Sequence, residues 1–170
     1  MNKNIVLTGF MGAGKSTVGR LLAQRLNMLF TDTDDEIEKR FGMSVSEIFE
    51  RHGEAAFRKS EEELAKELST KSGYVIATGG GMVKNPENIK NLRKNSVIVN
   101  IYCSVDKILR NIKDTSTRPL IHGKTREQVA VLIAERAPFY RNADIRVVTD
   151  SMSAGEAAAE IEKLYRERGE

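Results

Sequence analysis

The sequence is poor in the residues that build metal clusters and covalent cross-links. It contains one cysteine, two histidines and no tryptophan among 170 residues. The single cysteine, Cys103, excludes an internal disulfide and a cysteine-based zinc cluster. Apolar runs are far shorter than a bilayer-spanning helix requires. No cationic leader precedes a long apolar stretch, so we expect a cytoplasmic chain without a signal peptide or a membrane partner.

Excess charge of one sign is also nearly absent. Lys and Arg number 27 against 24 Asp and Glu, for a formal net charge of +3. The balance alternates along the chain, because residues 1–30 carry four basic and no acidic residues, whereas residues 31–67 carry six basic and twelve acidic ones. No continuous basic arm or aromatic-studded basic stripe emerges, so we expect no nucleic-acid partner.

Hydrophobic periodicity predicts alternating strands and helices. The predicted strands are Asn4–Thr8, Leu29–Asp32, Tyr74–Thr78, Val97–Tyr102 and Ile145–Val148. The predicted helices are Lys15–Leu26, Asp34–Phe41, Ser44–Arg51, Glu54–Ser69, Pro86–Arg93, Val105–Ile112, Thr125–Arg136 and Ala154–Arg166. This alternation indicates one α/β domain over residues 1–170, with a parallel sheet covered by helices on both faces. The breaker-rich stretch within residues 112–124 is predicted to be a mobile lid.

A phosphate-binding motif follows the first predicted strand. Residues 9–16 read Gly-Phe-Met-Gly-Ala-Gly-Lys-Ser, which matches G-x-x-x-x-G-K-[ST] between a strand and a helix. In such a loop the backbone N–H groups converge on phosphate and a lysine, here Lys15, reaches the β- and γ-phosphates. The hydroxyl of Ser16 is suited to hold Mg²⁺. The motif predicts binding of a nucleoside triphosphate.

Carboxylates follow the second predicted strand. Asp32 and Asp34 would share one side of an extended segment at the edge where open α/β sheets bind ligands. One could act on Mg²⁺ and the other on an acceptor hydroxyl as general base. Asp32 is the leading metal candidate, because neither the third nor the fourth strand ends in an aspartate. The run Glu61–Glu63 is predicted to be a solvated helix face.

Arginines and glycines elsewhere are weaker signals. Arg58 lies in the acidic block, Arg118 lies in the predicted lid, and Arg136 is expected at a helix end. The triplet Gly79–Gly81 follows a strand and would let a ligand approach the backbone closely. Two arginines near an aspartate would suit a small hydroxylated acid, because guanidinium groups bind carboxylates in a bidentate manner.

Six segments in this order make the chain resemble the shikimate kinase family of P-loop proteins. They are residues 9–16, Asp32-Thr33-Asp34, Phe57-Arg58, Ala77-Thr78-Gly79-Gly80-Gly81, Arg118-Pro119-Leu120 and Arg136-Ala137-Pro138-Phe139-Tyr140. The resemblance runs from Ile5 to about Val148. It implies a three-layer α/β/α P-loop NTPase fold with strand order 2-3-1-4-5. It also implies ATP as donor, the 3-hydroxyl of shikimate as acceptor and Mg²⁺ as cofactor. We expect a monomer.

The resemblance also assigns roles to residues. It implies catalysis by Lys15, Asp34 and Arg118; ATP binding by Gly12, Ala13, Gly14, Lys15, Ser16, Thr17, Arg110 and Arg118; shikimate binding by Asp34, Arg58, Gly80, Gly81 and Arg136; and metal binding by Ser16 and Asp32. The acceptor would lie in a subregion of about residues 33–61. Another small-metabolite kinase, such as a gluconate kinase, stays open as an alternative, because its substrate also carries a carboxylate and hydroxyls.

Overall fold

A computed structural model describes residues 3–112 and 120–169 of the chain. The strands are β1 (Asn4–Thr8), β2 (Leu29–Asp32), β3 (Tyr74–Ala77), β4 (Ser96–Tyr102) and β5 (Ile145–Val148). The helices are α1 (Lys15–Leu26), α2 (Thr33–Phe41), α3 (Val45–Leu68), α4 (Pro86–Arg93), α5 (Val105–Asn111), α6 (Arg126–Tyr140) and α7 (Ala154–Glu167), with a 3-10 turn at Met82–Lys84.

The strands form one parallel sheet in the order β2-β3-β1-β4-β5, which confirms the expected order. Strand β1 lies in the middle and pairs with β3 and β4, with Val6 opposite Ile76 and Ile98. All carboxyl ends therefore meet at one edge, where the phosphate loop leaves β1, the aspartates leave β2 and the glycine triplet leaves β3. This edge is where open α/β sheets bind their ligands.

The two faces of the sheet carry separate cores. Alternate residues of β1 point to opposite faces, so Ile5 and Leu7 join one cluster and Val6 joins the other. The first cluster includes residues of α1 and α7, and the second includes residues of α2, α3 and α4. This arrangement confirms the predicted three-layer α/β/α fold. Within the described ranges, no helix combines the length and the apolar composition needed to cross a membrane.

Most helices begin where the sequence predicts, because polar caps stop the preceding segment. Ser44 and Glu47 form a reciprocal capping box at the start of α3. The break predicted between the helices of residues 44–51 and 54–69 is present at Gly53, whose φ of 83° and ψ of 164° are non-helical, so α3 consists of two helical segments joined by a kink. Glycine adopts such a positive φ without the penalty that a Cβ would impose.

Helix α6 departs most from prediction. It ends at Tyr140 rather than Arg136, and Pro138 lies inside it. A proline inside a helix removes one backbone N–H, and its ring crowds the carbonyl four residues earlier, yet α6 continues through Pro138 for its last residues. Arg136 is consequently held in the body of a helix and not at its end.

Candidate active site

The phosphate loop curls over the carboxyl end of β1. Gly12 and Gly14 have φ values of 78° and 94°, in the region that glycine alone adopts without strain. Gly14 is the N-cap of α1, and within the described ranges no side chain caps that end and no acidic residue lies in its first turn. The first N–H groups of α1 and its positive end therefore face the loop. The Nζ of Lys15 donates hydrogen bonds to the carbonyls of Gly9 and Phe10, at 2.7 and 3.1 Å.

A hydrogen bond joins the phosphate loop to the end of β2. The hydroxyl of Ser16 donates to Oδ2 of Asp32 over 2.6 Å. The other oxygen of Asp32, Oδ1, accepts from the backbone N–H of Asp34 over 3.0 Å and so caps α2. The premise that Asp34 continues an extended segment is wrong, because α2 begins at Thr33. Both carboxylates nevertheless stay at the same edge, since the cap holds the first turn against the strand end.

Three consecutive glycines follow β3, and three charged residues of the predicted site contact them. The carboxylate of Asp34 lies against Gly79, where a Cβ would overlap its Oδ1 and stand 3.0 Å from its Cγ. The guanidinium of Arg136 donates to the carbonyl of Gly80 over 2.9 Å. The guanidinium of Arg58 lies against Gly81, where a Cβ would stand 2.5 Å from one of its nitrogens. Helices α2, α3 and α6 thus bring their charged groups to one short segment.

Arg58 is paired with two glutamates of its own helix. Its NH1 donates to Oε2 of Glu61 over 2.7 Å, and its NH2 donates to Oε1 of Glu54 over 3.2 Å. Glu61 is only 1% exposed, so the prediction of a solvated face is wrong for this residue. Burial raises the pKa of Glu61, although Arg58 opposes that rise. The pairing holds the guanidinium over the site before any ligand arrives.

Arg136 lies one helical turn before a buried phenol. The hydroxyl of Tyr140 is inaccessible to solvent, and burial raises its pKa to about 12, with Arg136 acting weakly in the opposite direction. Tyr140 is therefore neutral at physiological pH. It therefore adds no negative charge that would compete for Arg136.

The donor set at the phosphate loop fits magnesium. Among the described residues, no group of three or more His, Cys, Asp and Glu side chains could hold a metal ion. Mg²⁺ does not require such a cage, since it is bound by one or two protein oxygens together with phosphates and waters. The Ser16 hydroxyl and the Asp32 carboxylate supply two adjacent oxygens of this kind.

Other predicted residues have more limited structural support. Arg118 and most of the predicted lid lie outside the described residues. Arg110 is exposed in the last turn of α5, next to Asn111, whose side chain donates to the carbonyl of Gly12 over 2.8 Å. Thr17 is exposed in the first turn of α1. Helix α5 therefore borders the phosphate loop on the side away from the glycine triplet.

Sequence reasoning missed Glu61 as a member of the site. The available signal was its spacing, because Phe57, Glu61, Leu64 and Leu68 fall on one helical stripe. The other three members of that stripe are buried apolar residues. A glutamate in an apolar stripe requires a partner, and Arg58 is three residues away, on the same side of the helix.

Comparison with known proteins gives one consistent family. A family model described as shikimate kinase matches residues 11–166. A shikimate kinase of Caldanaerobacter subterraneus subsp. tengcongensis is 49% identical over 96% of this chain and 96% of its own. One from Caldicellulosiruptor bescii is 45% identical over 96% of this chain and 95% of its own. The solved shikimate kinase from Acinetobacter baumannii in complex with shikimate matches with a TM-score of 0.91 and 35% identity, covering 99% of this chain and 95% of that one.

Proposed function

The chain belongs to the shikimate kinase family and acts as an ATP-dependent shikimate kinase of aromatic amino-acid biosynthesis, and we propose that the phosphoryl transfer to the 3-hydroxyl takes place where β1, β2 and β3 end. One observation carries this location. The Asp34 carboxylate lies against Gly79, between the Ser16–Asp32 bond of the phosphate loop and the arginines at Gly80 and Gly81. An acceptor held there has its carboxylate directed away from ATP and a hydroxyl directed toward it.

On the acceptor side, two arginines bind the carboxylate of shikimate. Arg58 and Arg136 approach adjacent glycines from different helices, so one carboxylate can bridge both guanidinium groups. The backbone at Gly80 and Gly81 lets a ring approach closely because no side chain intervenes. Asp34 accepts a hydrogen bond from the 3-hydroxyl and orients its oxygen toward the γ-phosphoryl group. Residues of about 33–61 form the acceptor subregion in this proposal.

On the donor side, ATP binds along the phosphate loop. The backbone of residues 12–17 surrounds the phosphates, and Lys15 neutralises charge that develops on the transferring group. Arg118, which follows α5 in the sequence, is proposed to do the same. Arg110 is proposed to lie against the adenine. Catalysis consists mainly of positioning and electrostatic stabilisation, which is typical of phosphoryl transfer.

Magnesium is proposed as the cofactor, held by Ser16 and Asp32. When bound, it neutralises negative charge on the β- and γ-phosphate oxygens. The hard oxygen donors of both side chains support this choice. The described side chains assigned to the acceptor and the phosphates come from one copy of the chain, which supports the proposal that a monomer is active. A cytoplasmic location is proposed for the enzyme as well.

A coupled ADP-release assay tests the activity. Shikimate, gluconate and nucleoside monophosphates are supplied separately at the same concentration, with ATP and Mg²⁺. We expect shikimate alone to stimulate ADP release, with equimolar formation of shikimate 3-phosphate. Stimulation by gluconate or a nucleoside monophosphate, without stimulation by shikimate, would overturn the proposal.

A further inference from the structure

The glycine triplet is tied to the start of α2 by one buried hydrogen bond. The hydroxyl of Thr33 accepts the backbone N–H of Gly79 over 2.8 Å. Thr33 is completely buried, at 0% exposure, and Gly79 is buried as well. The bond therefore joins two segments of the site, the end of β3 and the first residue of α2, away from competition by water.

The residues on either side of Thr33 both belong to the proposed site, so the bond bears on the geometry of that site. Asp32 precedes it and accepts from Ser16, and Asp34 follows it and lies against Gly79. The two residues after Gly79 are the ones that Arg136 and Arg58 contact. A shift of the Thr33–Gly79 contact would therefore move Asp34 relative to the backbone on which both arginines rest.

Gly79 and Gly81 are required for space and not for an unusual backbone, whereas a Cβ at Gly80 would meet nothing closer than 3.9 Å. Gly79 and Gly81 do not have positive φ values, and Gly81 has an ordinary φ of −94°. Any side chain at Gly79 would displace the Asp34 carboxylate, and any at Gly81 would displace the Arg58 guanidinium. The distance between the Asp34 carboxylate and the Arg58 guanidinium is consequently set by how closely each packs against the backbone of Gly79 and Gly81.

We propose that Thr33 is a positioning residue, whose buried hydroxyl holds Gly79 so that Asp34 meets the acceptor hydroxyl at the correct distance from the two arginines. The inference rests on the proposed function, since it assumes that the acceptor lies between these groups. It adds a residue that touches neither substrate. Its effect is exerted through the peptide of Gly79.

A buried N–H that loses its acceptor turns to find another, because leaving it unpaired is costly. Valine has nearly the shape of threonine but cannot accept this hydrogen bond. In Thr33→Val the Gly79 peptide would rotate, and Gly80 and Gly81 would move with it. A displacement of about 1 Å in a catalytic site can lower the rate about 100-fold. We therefore expect kcat with shikimate to fall by roughly 10-fold to 100-fold.

The test compares Thr33→Val with Thr33→Ser and with Thr31→Val. Serine restores a hydroxyl at the same position, and Thr31 is a buried threonine two residues earlier on β2. The measurements are kcat, the KM of each substrate, and the urea midpoint of every variant. We expect Thr33→Val to lose kcat and to raise the KM of shikimate while the KM of ATP stays within about twofold, which is below what loss of one hydrogen bond to a ligand produces. Thr33→Ser and Thr31→Val should retain kcat.

Three results would overturn the proposal. The first is a Thr33→Val enzyme with normal kcat, and the second is equal loss in the serine and valine variants. The third is equal loss in Thr31→Val, which would indicate a general packing effect. If the valine variant does not fold, Thr33→Ala takes its place, and failure of both to fold would assign Thr33 to stability and not to positioning.

A second pair tests the contact between Gly79 and Asp34. Gly79→Ala should lower kcat at least about 10-fold, because the new methyl group occupies the place of the carboxylate. Gly155→Ala is the matched control, since a Cβ there meets nothing closer than 3.9 Å. Equal activity of Gly79→Ala and Gly155→Ala would overturn the proposal that the bare backbone of Gly79 sets the position of Asp34. Failure of the wild-type enzyme to phosphorylate shikimate would overturn the proposed function, which these ratios between variants do not test.

Discussion

Replacing Arg58 with methionine would leave the carboxylate of Glu61 buried without its guanidinium partner. Oε2 of Glu61 accepts from Arg58, and Oε1 is buried without a hydrogen-bond partner among the described residues. Asp34 and Glu54 also face it and raise its pKa further by repulsion. The variant therefore perturbs two properties at once, the binding of an acceptor carboxylate and the stability of the folded chain.

The magnitude follows from the burial of Glu61. Removing one partner of a buried ion pair costs about 3–5 kcal/mol. The side chain of Arg58 is 34% exposed, so water already screens part of the attraction. We therefore expect Arg58→Met to lose about 2 kcal/mol of unfolding free energy at pH 8. Loss of the guanidinium removes the influence that lowers the pKa of Glu61, so that pKa rises further in the variant.

The sign of the pH dependence is fixed by that rise. The pKa of Glu61 is higher in the folded chain than in the unfolded one. The folded state then binds more protons between the two values, so the free energy of unfolding falls as pH increases through this window. Arg58→Met raises the folded-state pKa of Glu61 further and so extends this pH window to higher pH. Its deficit relative to wild type should be largest at pH 8 and should shrink toward pH 5, where the carboxyl is increasingly protonated.

Urea unfolding at pH 5 and pH 8 measures both deficits, and the double variant Arg58→Met, Glu61→Gln is the control. Glutamine removes the charge, so the double variant should regain most of the stability at pH 8 and lose the pH dependence of the deficit. It should still bind shikimate poorly, which would separate the two roles of Arg58. A deficit equal at both pH values, or one that glutamine does not relieve, would refute the assignment of the cost to Glu61.

Three further substitutions test the roles of individual residues. Asp34→Asn should lower kcat by at least about 100-fold while ATP binding persists. The control Asp35→Asn, at the exposed next residue, should have nearly wild-type activity. Normal turnover in Asp34→Asn would remove Asp34 from the mechanism. Asp32→Asn should keep the wild-type urea midpoint, because asparagine caps a helix as well as aspartate does. It should require about 10-fold more Mg²⁺ for half-maximal rate, because one metal ligand is lost. An unchanged Mg²⁺ requirement would contradict the metal assignment. Arg136→Met should raise the KM of shikimate about 10-fold or more without changing that of ATP, and the opposite pattern would place Arg136 on the nucleotide side.

The sheet and the phosphate loop could be predicted because their signals are local. β-branched runs mark strands, and the motif over residues 9–16 fixes a strand before it and a helix after it. The strand order came from resemblance, since periodicity within a strand does not determine which strand is its neighbour. The predicted end of α6 is too early, because a proline normally marks the end of a helix, whereas α6 continues through Pro138 to Tyr140.

The charged groups were identified individually, but their arrangement could not be read from the sequence. Alternation along an extended segment is the ground for placing Asp32 and Asp34 on one side, but Asp34 lies in the first turn of α2, close to the predicted helix start, and Asp32 caps that helix. The contact of Asp34 with Gly79 joins residues 45 positions apart, and such contacts depend on how β2 and β3 pair. A triplet of glycines indicates close approach, but it does not identify the group that approaches.

Glu61 combines a property that the sequence predicts, its burial, with one that only the packing of the fold determines, its place in the site. Three adjacent glutamates read as a solvated run, and that reading holds for Glu63, which is exposed. The periodicity with Phe57 and Leu64 instead places Glu61 on the buried stripe of α3. A buried carboxylate is tolerated only when paired, so the same periodicity also requires Arg58 to turn toward it. The arginine is thereby held beside Gly81 by a bond within its own helix. Periodicity within one helix thus predicts the pair, and only the packing of α3 against the glycine triplet gives the pair its place in the site.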